Sequence, residues 1–352
     1  MAAVAKRRLM KRACLLTLAL VATLEVGVGA QQNPAVVSLN SPKCVRVPEA
    51  RGETAADEEL GIGRGGEYCA YPLRMMAYHR IVNDHLGGPP ILVSYDPDSG
   101  AGRVFDPVLD GKSYTFDAAP PQRGLPMLTD RETRSLWSAL SGEALSGPLA
   151  GKRMTLIPSL ILTWERWKEL HPDSWVLAED VRLSPHYTVR ATPASCPIPA
   201  AVSHDLLRKP DSRLKADTLV LGLTAAGETA AFPLTDKQGR SLRQPQVIEQ
   251  TLGDQRLVLF SDPSARAAAA YRPVVKDRRL TFTVSGDGGT PRWSDRQTGS
   301  LWTIEGQCVA GPLKGESLSP LEFVRVRWYA WSALHPRSGI FQSRSGQAGS
   351  GR

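Results

Sequence analysis

The chain has 352 residues, 42% of them hydrophobic and 22% charged, with 43 Lys+Arg against 35 Asp+Glu. Five basic residues and one acidic residue fall in the first 30 positions, which leaves 38 against 34, a net of +4, for the remainder. Acids and bases are interspersed there, without the clustered positive charge of a nucleic-acid binder, so the composition argues against a nucleic-acid partner.

Residues 1–30 have the build of a secretory signal peptide: a cationic start at Lys6, Arg7, Arg8, Lys11 and Arg12, an apolar run from Ala13 to Leu24, and a small-residue end at Gly27-Val28-Gly29-Ala30. Glu25 interrupts the run, which falls short of the ~20 residues a spanning helix needs. The expectation is export to a periplasmic or extracellular space, with cleavage near Gln31 and no stable membrane span afterwards; the alternative is a segment retained as an anchor. Four cysteines follow, Cys44, Cys69, Cys196 and Cys308. In an exported chain they permit two disulfides, and sequence does not choose the pairing. None forms a CxxC, so there is no thioredoxin-like, zinc-ribbon or c-type haem signature.

Beyond the leader, residues 31–58 read as an N-terminal extension of low order. What comes next is said twice. Asp130-Arg131, Thr133 and Ser135-Leu136-Trp137 recur as Asp295-Arg296, Thr298 and Ser300-Leu301-Trp302. Gly147-Pro148-Leu149 returns as Gly311-Pro312-Leu313, and Trp164, Trp167 and Leu170-His171-Pro172 return as Trp328, Trp331 and Leu334-His335-Pro336. A duplication fixes architecture, because each copy must supply the same core positions. The boundaries it suggests are a first unit over 59–178, a Pro/Ser/Ala-rich linker over 179–217, a second unit over 218–341 and a Gly/Ser/Gln/Arg tail over 342–352.

Within the first unit, Leu60-Gly61-Ile62 and Ala70-Tyr71-Pro72-Leu73 flank a glycine-bearing turn, echoed by Leu221-Gly222-Leu223 and Ala231-Phe232-Pro233-Leu234, so a hairpin is predicted in each copy. A second hairpin joins Ile91-Leu92-Val93 to Arg103-Val104-Phe105 through Asp96-Pro97-Asp98-Ser99-Gly100, with an echo at Asp262-Pro263. One helix per unit is predicted, Thr163 to Leu170 in the first, where Trp164, Trp167 and Leu170 form an apolar stripe that Pro172 ends. His171 and His335, in the last turn of each, read as structural. The fold class is α+β, mostly antiparallel β, in two pseudo-symmetric tandem units with one short Trp-bearing helix apiece.

Residues shared by both copies are explained by folding, and polar residues kept in one copy are the better functional candidates. That test selects His79, Asn83, Asp84 and His85, which face Pro245, Glu249, Gln250 and Thr251, together with Asp98 and Ser99, which face Ser264 and Ala265. A histidine that titrates near neutral pH, with Asp84, Asp96 and Asp98 as orienting groups or hard-metal ligands, makes the turn Asp96 to Gly100 and the stretch from Tyr78 to His85 the most site-like part of the chain. The turn lacks the later acidic ligands of a calcium loop, and there is no phosphate-binding or dinucleotide motif. Asp130 and Arg131 are secondary candidates. They read either as charges at the mouth of a cleft or as an Asp cap with a bridging Arg.

At these residues the chain resembles a bacterial family, domain of unknown function 3179. The resemblance spans nearly all of the chain after the leader: Ala70-Tyr71-Pro72-Leu73, His79 with Ile81-Val82-Asn83-Asp84, Gly87-Gly88, Asp130-Arg131-Glu132-Thr133, Ser135-Leu136-Trp137-Ser138, Gly142-Glu143-Ala144, Gly147-Pro148-Leu149-Ala150-Gly151 and His171-Pro172-Asp173. It implies membership and no activity. Many members carry Tyr-Cys-Pro-x-Cys-Gly where this chain has Tyr95-Asp96-Pro97-Asp98-Ser99-Gly100, so a thiolate mechanism at that hairpin is excluded here.

The leading expectation is a non-catalytic exported protein that binds a small ligand or an envelope partner in a cleft between or within its halves. The alternatives are a metal-assisted or acid/base enzyme built on His79, Asp84 and Asp96, and a structural assembly module. On this reading Trp167→Ala damages folding and His79→Ala does not.

Overall fold

The computed structural model describes residues 37–187, 211–235, 240–286 and 290–341. The segments read from sequence as a signal peptide and a tail, and residues 188–210 with Cys196, lie outside the described residues. Among the described residues short strands in mostly antiparallel sheets dominate, and three α-helices of seven residues accompany them: α1 (Leu73–His79), α2 (Trp164–Leu170) and α3 (Trp328–Leu334). The two Trp-bearing helices are α2 and α3. Sequence reading missed α1, which follows Pro72 with no side-chain cap and stops at Arg80, whose φ is 61°.

The two halves use the same strand order. In the first, Ser159–Thr163, Glu58–Arg64, Glu67–Pro72, Trp175–Leu177 and Cys44–Arg46 lie side by side; in the second, Glu322–Arg327, Leu219–Ala225, Glu228–Pro233 and Gly339–Ile340 do. Gly61 pairs with Ala70 in one hairpin and Gly222 with Ala231 in the other. The second hairpins correspond likewise, Pro90–Asp96 with Ala101–Asp106 and Gln255–Asp262 with Ala267–Arg272. Residues 39–46, read from sequence as part of a poorly ordered extension, instead add two strands: Leu39–Asn40 pairs in parallel with Ile81–His85, and Cys44–Arg46 closes the edge of the first sheet.

Each repeated motif has a packing reason. The Asp130 carboxylate accepts from Thr133 N (2.6 Å), Ser135 N (3.1 Å) and Trp137 Nε1 (2.9 Å), and Asp295 accepts from Thr298 N (2.6 Å) and Trp302 Nε1 (3.0 Å). Each buried carboxylate is thereby satisfied, which is what burial of a charge demands. Trp167 and Trp331 lie over Gly61 and Gly222, where a Cβ would stand only 2.2 Å and 2.3 Å from the ring. Their Nε1 groups donate to Ser174 Oγ (2.9 Å) and Ser338 Oγ (2.8 Å).

The first hairpin is buried on both faces over most of its length, and the buried Glu58 and Glu59 stand beside its apolar residues. One face carries Leu60, Ile62, Cys69 and Tyr71 into a cluster with α1. The other sets Ala70, Leu162 and Trp167 in one cluster with Phe260, Trp293 and Trp302 of the second half. The halves also dock reciprocally. Thr163 N donates to Ala265 O (2.9 Å) and Arg327 N donates to Ser99 O (2.8 Å), so each half sets the start of its Trp helix on the hairpin turn of the other.

Candidate functional site

The turn that sequence singled out is a joint between the halves. Asp96 Oδ2 accepts from Ser99 N (2.8 Å), and Asp96 Oδ1 accepts from Arg80 Nη1 (2.5 Å). Arg80 Nη2 stands 3.7 Å from Asp98, whose carboxyl is pushed up by burial and by the charge of Asp96. From the other half, Arg327 Nη1 donates to Asp98 O (2.9 Å). Ser99 is fully buried, and among the described residues its hydroxyl has no hydrogen-bond partner. The second half builds the same joint. Asp262 Oδ1 accepts from Ser264 N (3.0 Å) and Ala265 N (3.2 Å), while its other oxygen pairs with Arg166 at 2.8 Å. Asp96 and Asp262 therefore do one job, a carboxylate that closes a turn, and its presence in both copies assigns it to folding.

The His79 and Asp84 side chains bond to partners outside that turn. The His79 ring is fully buried at the end of α1, with Nδ1 2.7 Å from Val37 O and Nε2 2.7 Å from Tyr187 Oη. A carbonyl only accepts, so Nδ1 carries the proton and Nε2 accepts from the tyrosine. Burial lowers the pKa of this ring and keeps it neutral. Asp84 accepts from Tyr71 Oη (2.9 Å) and from His85 N (2.8 Å), and burial raises its carboxyl. The three proposed acid/base groups share no partner. Among the described residues no group of three or more His, Cys, Asp or Glu side chains is placed to hold a metal ion. His79, Asp84 and Asp96 thus each have hydrogen-bond partners of their own.

Asp130 takes the structural role already described. Burial works to raise its carboxyl, but hydrogen bonds from Trp137, Thr133 and Ser135 hold it below the ordinary value. Arg131 forms a two-pronged pair with Asp117, at 2.8 and 2.7 Å, on a half-exposed surface. Asp130 thus closes the turn that follows it, and Arg131 bridges to Asp117.

Among the described residues a concave site lies elsewhere, between the halves. A cleft of about 330 Å³ has Gly61 to Gly66, Tyr68 and Ser159 on one wall and Tyr271, Glu305, Gln307, Ser317 and Phe323 on the other. Tyr68 stacks on His171 with ring centroids 4.0 Å apart, and His171 also leans on Trp167 at 4.4 Å. Both carboxylate oxygens of Glu305 lie 2.9 Å from His171 Nε2. Tyr68 stays in place because Gly63 opposite has no Cβ, which would otherwise come within 2.6 Å of the ring. Tyr271 stiffens the opposite wall by donating to Ile304 O (2.7 Å).

Sequence reasoning set His171 aside because His335 repeats it. Its Trp167 contact repeats as Trp331 against His335, but two other neighbours do not repeat. Thr229 occupies the place of Tyr68 in the second hairpin, and a 165-residue offset puts Leu140 opposite Glu305. The same test of asymmetry, applied to the surroundings of the repeated Leu-His-Pro, selects Tyr68 and Glu305.

Among the described residues no helix is long and apolar enough to cross a membrane. Residues 34–346 match a family described as Protein of unknown function (DUF3179). No curated protein and no solved structure matches the chain.

Proposed function

The chain belongs to the DUF3179 family, and from that premise we propose that it is an exported, non-catalytic binding protein that takes a small polar ligand in the cleft between its halves. The observation that carries the reading is the cleft itself, about 330 Å³ and walled by both copies of the repeat. That volume stands at the lower end of the ~300–1,000 Å³ typical of small-molecule sites. Its lining combines apolar surface from Leu318, Pro320 and Phe323 with convergent polar groups from Ser159, Glu305, Gln307 and Ser317. Such a lining suits a compact ligand with one apolar face and several hydroxyl or amine donors. Export is supported by the cationic, apolar and small-residue sequence of residues 1–30. The acid/base reading loses its support, since His79 and Asp84 are not on the cleft wall and have partners of their own.

Thermal melting of the purified protein against a defined set of monosaccharides, amino sugars, polyols and amino acids tests the reading. A ligand at about 100 times its Kd should stabilise the folded state by ~2.7 kcal/mol. Glu305→Gln and Tyr68→Ala should abolish that gain for the same compound. A compound that stabilises both variants as it does the wild type, or a set in which nothing binds, would overturn it.

A further inference from the structure

The second half carries a cationic hairpin in which Val274–Val275 pairs with Arg278–Arg279 through a tight turn at Lys276 and Asp277. The first half builds the same hairpin from Val108–Leu109 and Lys112–Ser113 around Asp110 and Gly111. Over the equivalent stretches the charge has reversed. Residues 106–113 hold Asp106, Asp110 and Lys112, a net of −1, and residues 272–279 hold Arg272, Lys276, Arg278, Arg279 and Asp277, a net of +3. The residue after Gly-Pro-Leu-x-Gly fastens the tip in each copy, with its sign exchanged: Lys152 meets Asp110 at 2.9 Å, and Glu316 meets Lys276 at 2.7 Å. Folding thus keeps the fastening and has no need of the added charge. Arg272, Arg278 and Arg279 are exposed, and among the described residues none of them has an ion-pair partner. Burial alternates along Arg272, Pro273, Val274 and Val275, so Arg272 and the 42%-exposed Val274 share the outward face, and Arg279 stands opposite Val274 in the ladder. The turn residues Lys276 and Asp277 have φ of 48° and 59°, where the first half uses Asp-Gly, the easier pair for such a turn.

We propose that this hairpin docks the protein on the anionic surface of a phospholipid bilayer, with Arg272, Arg278 and Arg279 at the headgroup phosphates and Val274 entering the interface. Arginine takes a phosphate through two parallel N–H donors, and an apolar side chain set among basic ones is what an interfacial element buries at the headgroup boundary. A single-stranded nucleic acid is met by stacked aromatic side chains, and residues 272–279 hold none. Each basic side chain near an anionic bilayer strengthens the partition about fivefold, so three unpaired arginines supply about a hundredfold at low salt. The attraction is screened over ~10 Å at 0.1 M salt and ~3 Å at 1 M. The docking does not depend on what the cleft binds.

The test is hydrogen exchange on the full chain, mixed with vesicles of phosphatidylcholine alone or of phosphatidylcholine and phosphatidylglycerol in equal parts. Residues 1–30 are themselves cationic and apolar, so the contact is read locally, at the amides of residues 272–280. The anionic vesicles should protect those amides at low salt and lose that effect at high salt, and the neutral vesicles should not protect them. Replacing all three arginines, Arg272→Ser, Arg278→Ser and Arg279→Ser, should raise the lipid concentration for half-protection about a hundredfold and leave thermal melting unchanged. Lys112→Ser, in the hairpin of the first half, should leave both as they are. The salt series on the wild type carries the test independently of the variants. The proposal is overturned if the anionic vesicles give residues 272–280 no protection, if neutral vesicles protect them equally, or if the triple variant keeps the wild-type response. It is overturned too if a sulfated polysaccharide protects them at a lower concentration of charge than the vesicles do, which would make the partner a soluble polyanion.

Discussion

A histidine whose two ring nitrogens are both bonded inside the protein has no proton to lend. His79 is such a residue, and its removal strands Val37 O and the Tyr187 hydroxyl. His79→Ala should therefore cost about 2–3 kcal/mol in urea denaturation, contrary to the sequence expectation that folding would tolerate it. The pH dependence has a definite sign. The folded ring has a pKa below the ordinary 6.5, so below that pH the unfolded chain binds more protons. This part of the stability is complete above about pH 6.5 and is lost as pH falls through the folded value. His79→Ala should flatten that slope; an unchanged slope would remove His79 as its cause. The residue was legible in sequence as unique to one half, but the reason was not. Val37 and Tyr187 lie outside the repeated unit, so a side chain that anchors unrepeated segments is itself unrepeated.

Among the elements, the hairpins and the two Trp-bearing helices were legible because their apolar spacing and turn residues occur twice. The seven-residue α1 was not, since it spans too few turns to show a period and has no side-chain cap. The strands at residues 39–46 were hidden for a related reason: two- and three-residue strands have no alternation to read, and their place is decided by the sheet edge that receives them. What sequence did not reveal about the repeat is that each tryptophan sits against a glycine. Gly61→Ala should push the Trp167 ring from its seat and cost ~1–3 kcal/mol, and Gly222→Ala should do the same beneath Trp331. Trp167→Ala should cost ~3–5 kcal/mol. Chemical denaturation of the three variants checks the pairing: a Gly61→Ala protein as stable as the wild type would mean that the ring has room to shift.

At the scale of the whole molecule, the two halves share a core and exchange buried charges. Arg166 of α2 pairs with the fully buried Asp262, and Arg325 pairs with the buried Glu58 across the same boundary. Removing one partner of a buried pair leaves the other charge uncompensated, so Asp262→Ala should cost ~3–5 kcal/mol. Because the same contacts join both halves, the wild type should unfold in one calorimetric transition. Two resolved transitions would show that the halves melt independently. A cleft between or within the halves was expected from sequence, but the residues that line it were not legible, for the same reason. Its walls are brought together by packing between residues more than a hundred positions apart, such as His171 and Glu305, which no local pattern announces.

The reciprocal bonds, Thr163 to Ala265 and Arg327 to Ser99, are one contact made twice under exchange of the halves. That is the self-complementary pattern of an isologous homodimer, in which a patch on one copy meets its equivalent on the other. A single ancestral repeat with this surface could have paired with itself. Fusion of two copies then makes the encounter intramolecular, which raises their effective concentration without adding a contact. It also frees the copies to diverge, so that one contributes Tyr68 and the other Glu305 to a shared hollow that a strictly symmetric pair would have had to build in duplicate.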